Sequence, residues 1–309
     1  MTKLKTIFFA ASALALLGVS ACKDPSDGTG GGTGAPPDAP FVEGGASLIL
    51  SPDKLDITVK GTTADGTSVT VEGCTETTLI SGIETVLHAK GSLVILKGKI
   101  TSLDCSVNRL NSLNVQGLTA LQVLSCVGNR LTELNVQGLT ALKELVCWGN
   151  QLNALNVQGL TALQVLNCFG NRLTELNVQG LTALQGLNCS GNRLTALNVQ
   201  GLTALQTLNC FANQLTALNV QGLTALKELL CGENQLNADA FKKLFNDLPV
   251  RADSDNASCY LYTERTDDTE GNHTYFSAPP DLSDAFNNAK TVKKWKMYKV
   301  DADGYGVRI

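Results

Sequence analysis

Histidine is scarce in this chain: there are two, His88 and His273, and neither lies near a nucleophile pattern such as G-x-S-x-G. The ten cysteines include no C-x-x-C, so the usual spacing of a tetrahedral metal site is missing. DADG at Asp301 to Gly304 begins like a calcium loop but reaches Ile309 without a twelfth-position carboxylate, and a turn is expected there. Basic residues are outnumbered 24 to 28, which leaves no electrostatic footprint for nucleic acid or anionic lipid. These gaps argue against an enzyme, and no cofactor or metal is expected.

What is present starts with a leader. Lys3 and Lys5 precede an apolar stretch from Ile7 to Val19 that is too short to span a bilayer as a stable helix. It ends in Val19, Ser20, Ala21 and Cys22, which resembles the lipobox of bacterial lipoproteins. The resemblance implies a signal peptide at 1–21 and lipidation at Cys22. Residues 22–45 then read as a disordered tether rich in Gly, Pro and Asp, and the eighteen residues after Cys22 have a reach of about 25 Å. Loss of the two leader lysines leaves 22 basic against 28 acidic residues, a net of −6.

From residue 100 the sequence copies itself. LDCSVNRL, LSCVGNRL, LVCWGNQL, LNCFGNRL, LNCSGNRL, LNCFANQL and LLCGENQL follow one another at a period of 21. Asn108, Asn129, Asn150, Asn171, Asn192, Asn213 and Asn234 keep that period, as do Cys105, Cys126, Cys147, Cys168, Cys189, Cys210 and Cys231. A fixed period of this size marks a solenoid. One unit, Leu121 to Ala141, reads L-x-x-L-x-C-x-x-N-x-L and then NVQGLTA. This resembles the leucine-rich repeat. The 21-residue form with cysteine at the third apolar position is similar to the cysteine-ladder repeats of internalin J and to leucine-rich repeat lipoproteins of spirochaetes.

The physical reading agrees. Leu145 and Cys147 are two apart and share one face of a short strand, while Glu144, Val146 and Trp148 share the other. Stacked units make a parallel sheet with the Leu and Cys face inward, and the return half is extended or a short turn because 21 residues leave no room for a crossover helix. A single unit cannot offset the entropy of ordering itself, whereas seven stacked ones can. A buried asparagine both donates and accepts, so a column of them can satisfy the backbone of each tight turn.

Cysteines one repeat apart would lie about 4.8 Å from each other with parallel Cβ vectors, outside the usual disulfide range of about 3.5 to 4.5 Å for Cβ atoms. One thiol per layer does not converge on a metal. The column is therefore expected to be buried, reduced core. Cys74 and Cys259 fall outside it at opposite ends, too far apart to pair with each other and with no partner assigned.

Residues 46–99 hold alternating segments such as LDITV and SVTVEG, with turns at Asp65-Gly66 and Lys90-Gly91, and read as a β-rich N-terminal cap. Seven leucine-rich repeats fill 100–236. Residues 237–309 read as an α/β C-terminal cap, with Phe241, Leu244, Phe245 and Leu248 on one face of a helix ended by Pro249, then the strand-like CYLYTE and KWKMYKV. Lys290, Lys293, Lys294, Lys296 and Lys299 read as a solvated edge. Asn256 and Asn272 match glycosylation acceptors, a match of little meaning in a bacterial lipoprotein.

Variation among the repeats concentrates on the outward strand positions. The expected concave face sets Trp148, Phe169 and Phe211, exposed, among Glu144, Val146, Asn167, Asn188 and Asn209. An aromatic patch of this kind marks a binding surface, although Trp148 and Phe169 could instead serve only each other as a cross-strand pair. Arg109, Arg130, Arg172 and Arg193 are expected along one rim. The resemblance implies a surface-exposed outer-membrane lipoprotein, monomeric, that binds a protein or glycan in adhesion or host interaction. A periplasm-facing location is the other placement, and an envelope scaffold for self-association or coaggregation is the alternative role.

Overall fold

The computed structural model describes residues 38–266 and 270–309. The expected signal peptide, Cys22 and the tether up to residue 37 lie outside the described residues. The rest of the expected tether does not hang free: Ala39 is buried, its N–H donates to Ser112 Oγ at 3.0 Å, and its carbonyl accepts from Asn114 Nδ2 at 3.1 Å. Gly117 permits this docking, since a Cβ there would sit 1.8 Å from the Val42 carbonyl oxygen.

The N-terminal strands are β1 (Gly45–Ile49), β2 (Asp56–Thr63), β3 (Val69–Glu72), β4 (Thr78–Leu79), β5 (Glu84–His88) and β6 (Leu93–Lys97). The repeats supply β7 (Ile100–Asp104), a short return strand β8 (Ser112–Asn114), then β9 (Val123–Ser125), β10 (Glu144–Val146), β11 (Val165–Asn167), β12 (Gly186–Asn188), β13 (Thr207–Asn209) and β14 (Glu228–Leu230). β7 and β9 through β14 pair in parallel and in strict register, so each position of the motif stacks on its own copy.

The register follows from the core. In one unit Leu142, Leu145, Cys147, Leu152, Leu155, Val157 and Leu160 are all buried, and a slip by one residue would turn the strand's share of them to solvent. The return half is a run of turns, with Leu160 N–H on the Val157 carbonyl and Gly159 at φ 80°, as expected.

The caps close the two ends differently. At the N-terminal end β2 adds antiparallel to β7, extending the inner wall, while β1 adds antiparallel to β8, extending the outer one. At the C-terminal end the chain runs through α1 (Ala238–Asp247), β15 (Ser258–Thr263), α2 (Pro280–Thr291), β16 (Lys296–Val300) and β17 (Gly306–Arg308). β15 and β16 continue the parallel sheet, and only β17 reverses. The cap is thus two further layers whose crossovers are helices. α1 begins at Asn237, whose Oδ1 accepts from Ala240 N–H, and buries Phe241, Leu244 and Phe245. α2 is an element that the sequence reading missed. Twelve strands make up the inner sheet, from β17 to β5.

The lysine cluster is not one solvated edge. Lys293 Nζ donates to the Asn246 and Leu248 carbonyls at the end of α1, Lys296 to Asn256 Oδ1, Lys299 pairs with Glu264, and Lys290 lies over the Phe286 ring. Asp301 Oδ1 accepts from the N–H groups of Asp303 and Tyr305, which makes DADG a turn.

Candidate partner-binding face

Two columns run up the inside of the sheet. In a typical layer Asn171 Nδ2 donates to the carbonyls of Cys168 and, one repeat back, Cys147, at 3.0 and 3.1 Å, while Leu152 N–H donates to its Oδ1 at 3.0 Å. Each asparagine thereby stitches its own turn to the preceding one.

The column has an eighth rung. Leu236 N–H donates to Asn272 Oδ1 at 2.8 Å, and Asn272 Nδ2 donates to the carbonyls of Cys231 and Leu261 at 2.8 and 2.9 Å. Asn272 is buried and structural, not a glycan acceptor. The repeat motif could not show it because the layer lengthens to hold α1.

All seven ladder cysteines are free and fully buried. Burial pushes the ladder thiols from Cys105 to Cys210 up, Cys168 to about 12, and the neighbouring Cys259 together with burial raises Cys231, so thiolate chemistry is suppressed at neutral pH. Cys259 sits on β15 opposite Leu229 of β14, next to the end of the ladder, where the Cys231 thiol donates to the Tyr260 carbonyl at 3.5 Å. Cys74 is buried in the N-terminal cap, with its thiol pushed up to about 11 by burial.

The outward rows are less open than expected. Val146, Asn167, Asn188, Asn209 and Glu144 are buried, and Trp148, Phe169 and Phe211 are half-buried. Strands about 4.8 Å apart let each outward side chain lean on its neighbour, so a concave floor shields itself.

The aromatics show this directly. The Trp148 and Phe169 rings sit 6.3 Å apart at 41°, a cross-strand pair. Phe169 then leans over Gly191 and Phe211 over Gly232, where a Cβ would meet the rings at 3.0 and 2.5 Å. Each phenylalanine fills space that a small residue leaves in the next layer.

The asparagine row is ordered by its own backbone. Oδ1 of Asn167, Asn188 and Asn209 accepts from the N–H two residues on, at Phe169, Ser190 and Phe211, at 3.2, 3.1 and 3.1 Å. That fixes each carboxamide and leaves its Nδ2 without a hydrogen-bond partner among the described residues. The floor also continues beyond the repeats: Tyr260 and Tyr298 stack at 4.9 Å on β15 and β16. The expected face stopped at the array and missed these tyrosines. The signal for them was the alternation in CYLYTE and KMYKV.

The arginine rim is partly committed. Arg109 and Arg130 both pair with Asp53 of the N-terminal cap, and Arg130 Nη1 donates to Ser51 Oγ at 2.8 Å. The Ser51 hydroxyl first, and then the Arg130 and Arg109 cations, hold the Asp53 carboxylate down at about 2. Among the described residues no group of three or more His, Cys, Asp or Glu is placed to hold a metal, and no helix is long and apolar enough to cross a membrane.

No protein-family model matches the chain, and no curated protein does. Among solved structures it is similar to the functional domain of InlJ from Listeria monocytogenes, which includes a cysteine ladder, with 30% identity over 59% of this chain and 37% of that one and a TM-score of 0.46. It is also similar to a leucine-rich repeat protein of Leptospira interrogans, with 24% identity over 59% of this chain and 50% of that one at a TM-score of 0.42. A Shigella effector leucine-rich repeat domain matches at 21% identity over 64% of this chain and 81% of that one, at a TM-score of 0.47. The chain thus matches half or less of the length of the first two. By its own parallel register, its 21-residue period and its stacked cysteine and asparagine columns, the chain is a leucine-rich repeat solenoid with a cysteine ladder.

Proposed function

We propose that this protein is a lipid-anchored protein of the bacterial outer membrane, exposed at the surface, whose concave face binds a protein or glycan partner in adhesion or host interaction. The anchor is the lipidated Cys22 at the head of the tether. The observation that carries the reading is the Trp148–Phe169 pair. Two large rings stay half-exposed on the inner sheet at a position that other repeats fill with Ser106, Val127, Ser190 or Gly232, so the backbone does not demand an aromatic there. Half-buried aromatics beside ordered amides offer stacking area and directional donors, which protein and carbohydrate ligands both use.

The test is a binding screen of the protein against host matrix proteins and glycans, repeated with Trp148, Phe169 and Phe211 all changed to Ala. Capture by the native protein and its loss in the variant, at unchanged circular dichroism, is the expected result. Protease treatment of intact cells checks location, and full protection would place the protein in the periplasm and remove adhesion.

A second reading, self-association, has its own observation. The inner sheet ends in two open edges, and Ile83 and Val86 at β5 and Tyr305 and Val307 at β17 expose apolar surface there. Light scattering across a wide concentration range separates the two readings, because a scaffold grows with concentration and a monomeric binder does not.

A further inference from the structure

Two acidic side chains on the concave floor carry a charge that the rest of the fold does not use. Glu144 and Glu228 stand in one row, with Val165, Gly186 and Thr207 on the three strands between them. Glu144 is flanked in register by Val123 and Val165 and keeps only 7% of its surface exposed. Among the described residues neither carboxylate has a hydrogen-bond or ion-pair partner, and burial alone raises both above the usual carboxylate range.

Packing does not require an acid at these positions, because the other repeats fill the row with Ser102, Val123, Val165, Gly186 and Thr207. An unpaired carboxylate on an apolar floor opposes folding. A cation brought by a ligand offsets that penalty through a charge-assisted hydrogen bond in a partly dehydrated site.

The neighbouring rows extend the pattern. The next row carries the unpartnered Nδ2 donors of Asn167, Asn188 and Asn209, and the row beyond it carries Trp148, Phe169 and Phe211. Along the carboxylate row, four strand intervals of about 4.8 Å place the two acids about 19 Å apart, which six residues of extended chain at about 3.3 Å each also span.

We infer that the concave face takes an extended segment of a partner protein with two basic side chains, lysine or arginine, six residues apart, one at Glu144 and one at Glu228. The segment's carbonyls face the asparagine amides, and its apolar side chains lie toward the Trp148–Phe169 pair. This rests on the concave reading above and specifies the chemistry of its partner.

The experiment measures fluorescence polarisation of the native protein with end-capped, labelled peptides that carry lysines six residues apart, lysines two residues apart, or glutamine in place of both. Tighter binding of the six-residue spacing, by about tenfold over the glutamine peptide, is expected. Glu144→Gln and Glu228→Gln should each remove most of that preference. The double variant Glu133→Gln/Glu175→Gln removes two exposed carboxylates, a larger change in net charge than either single variant, and should leave it intact. Equal binding of both lysine spacings, or equal loss in the control variant, would reduce the effect to net charge and overturn the inference. A screened partner that depends on Trp148 and Phe169 but ignores both glutamine variants would also overturn it while leaving concave binding in place. A partner indifferent to the aromatics and to both carboxylates removes both.

Discussion

The two faces of strands β9 to β14 answer to different demands. Inward, leucine, cysteine and asparagine recur without exception, because each must stack on its own copy in a closed core. Outward, the same strands carry Glu144 beside Val165, and Phe169 beside Ser190, and no outward position holds one residue type in all six. Uniformity on one face is what the solenoid needs to form, and variety on the other is what the proposed recognition would draw on. Packing still reaches the outer face, since Phe169 and Phe211 occupy space above small residues of the next layer.

The comparison breaks first, and hardest, on the inward side. Asn171→Ala leaves the buried Leu152 N–H without its acceptor and takes one of two asparagine donors from each of the Cys147 and Cys168 carbonyls, which keep Asn150 and Asn192. At about 1 to 3 kcal/mol for the one orphaned N–H and about 0.5 to 1.5 kcal/mol for each of the other hydrogen bonds lost, the expected loss is about 3 kcal/mol in a urea melt.

Asn272→Ala removes the same kind of contacts at the end of the column, where local opening relieves part of the penalty. A loss of about 2 kcal/mol is expected. Hydrogen exchange should rise in β15 and β16 while the middle repeats stay protected.

Val107→Gly goes the other way. Val107 holds the left-handed turn conformation at φ 58° with its side chain exposed, where most other repeats have glycine. Relief of that strain should add about 1 kcal/mol, measured as a higher Tm.

The smallest effect falls on the outward face. Burial lifts the Glu144 carboxylate, so the folded chain holds its proton more tightly than the unfolded one, and stability falls as the pH rises from the ordinary carboxylate value through the raised one. Glu144→Gln removes that dependence. Its Tm should exceed that of the native protein at pH 7 and match it at about pH 3, where both states are protonated.

How far these features could be read from sequence depends on whether they repeat. The period exposed the parallel sheet, the inward columns and the quiet thiols, because stacking makes spatial neighbours of residues 21 apart. Asn272 escaped because α1 stretches its layer to 38 residues after Asn234, although its role is the same. α2 carries a weak apolar stripe, small residues at Ala285 and Ala289 with Leu282 after Pro280, and so gives less signal than the Phe and Leu face of α1. The joining of β1 to β8 and β2 to β7 is long-range antiparallel pairing that no local pattern announces. On the concave floor the residue types were legible but not their exposure, because the shielding of Val146 or Asn188 depends on strands on either side.

The central claim, that recognition belongs to the outward concave face and not to the convex turns, is tested by one paired binding measurement. A partner captured by the native protein is titrated against Trp148→Ala/Phe169→Ala/Phe211→Ala and against a convex variant with Gln158, Gln179 and Gln200 changed to Ala. At matched folding, the concave variant should lose binding by at least about a hundredfold, as expected when central aromatic anchors are removed, and the convex variant should bind as the native protein does. Retained binding in the concave variant, together with loss in the convex one, would contradict the account.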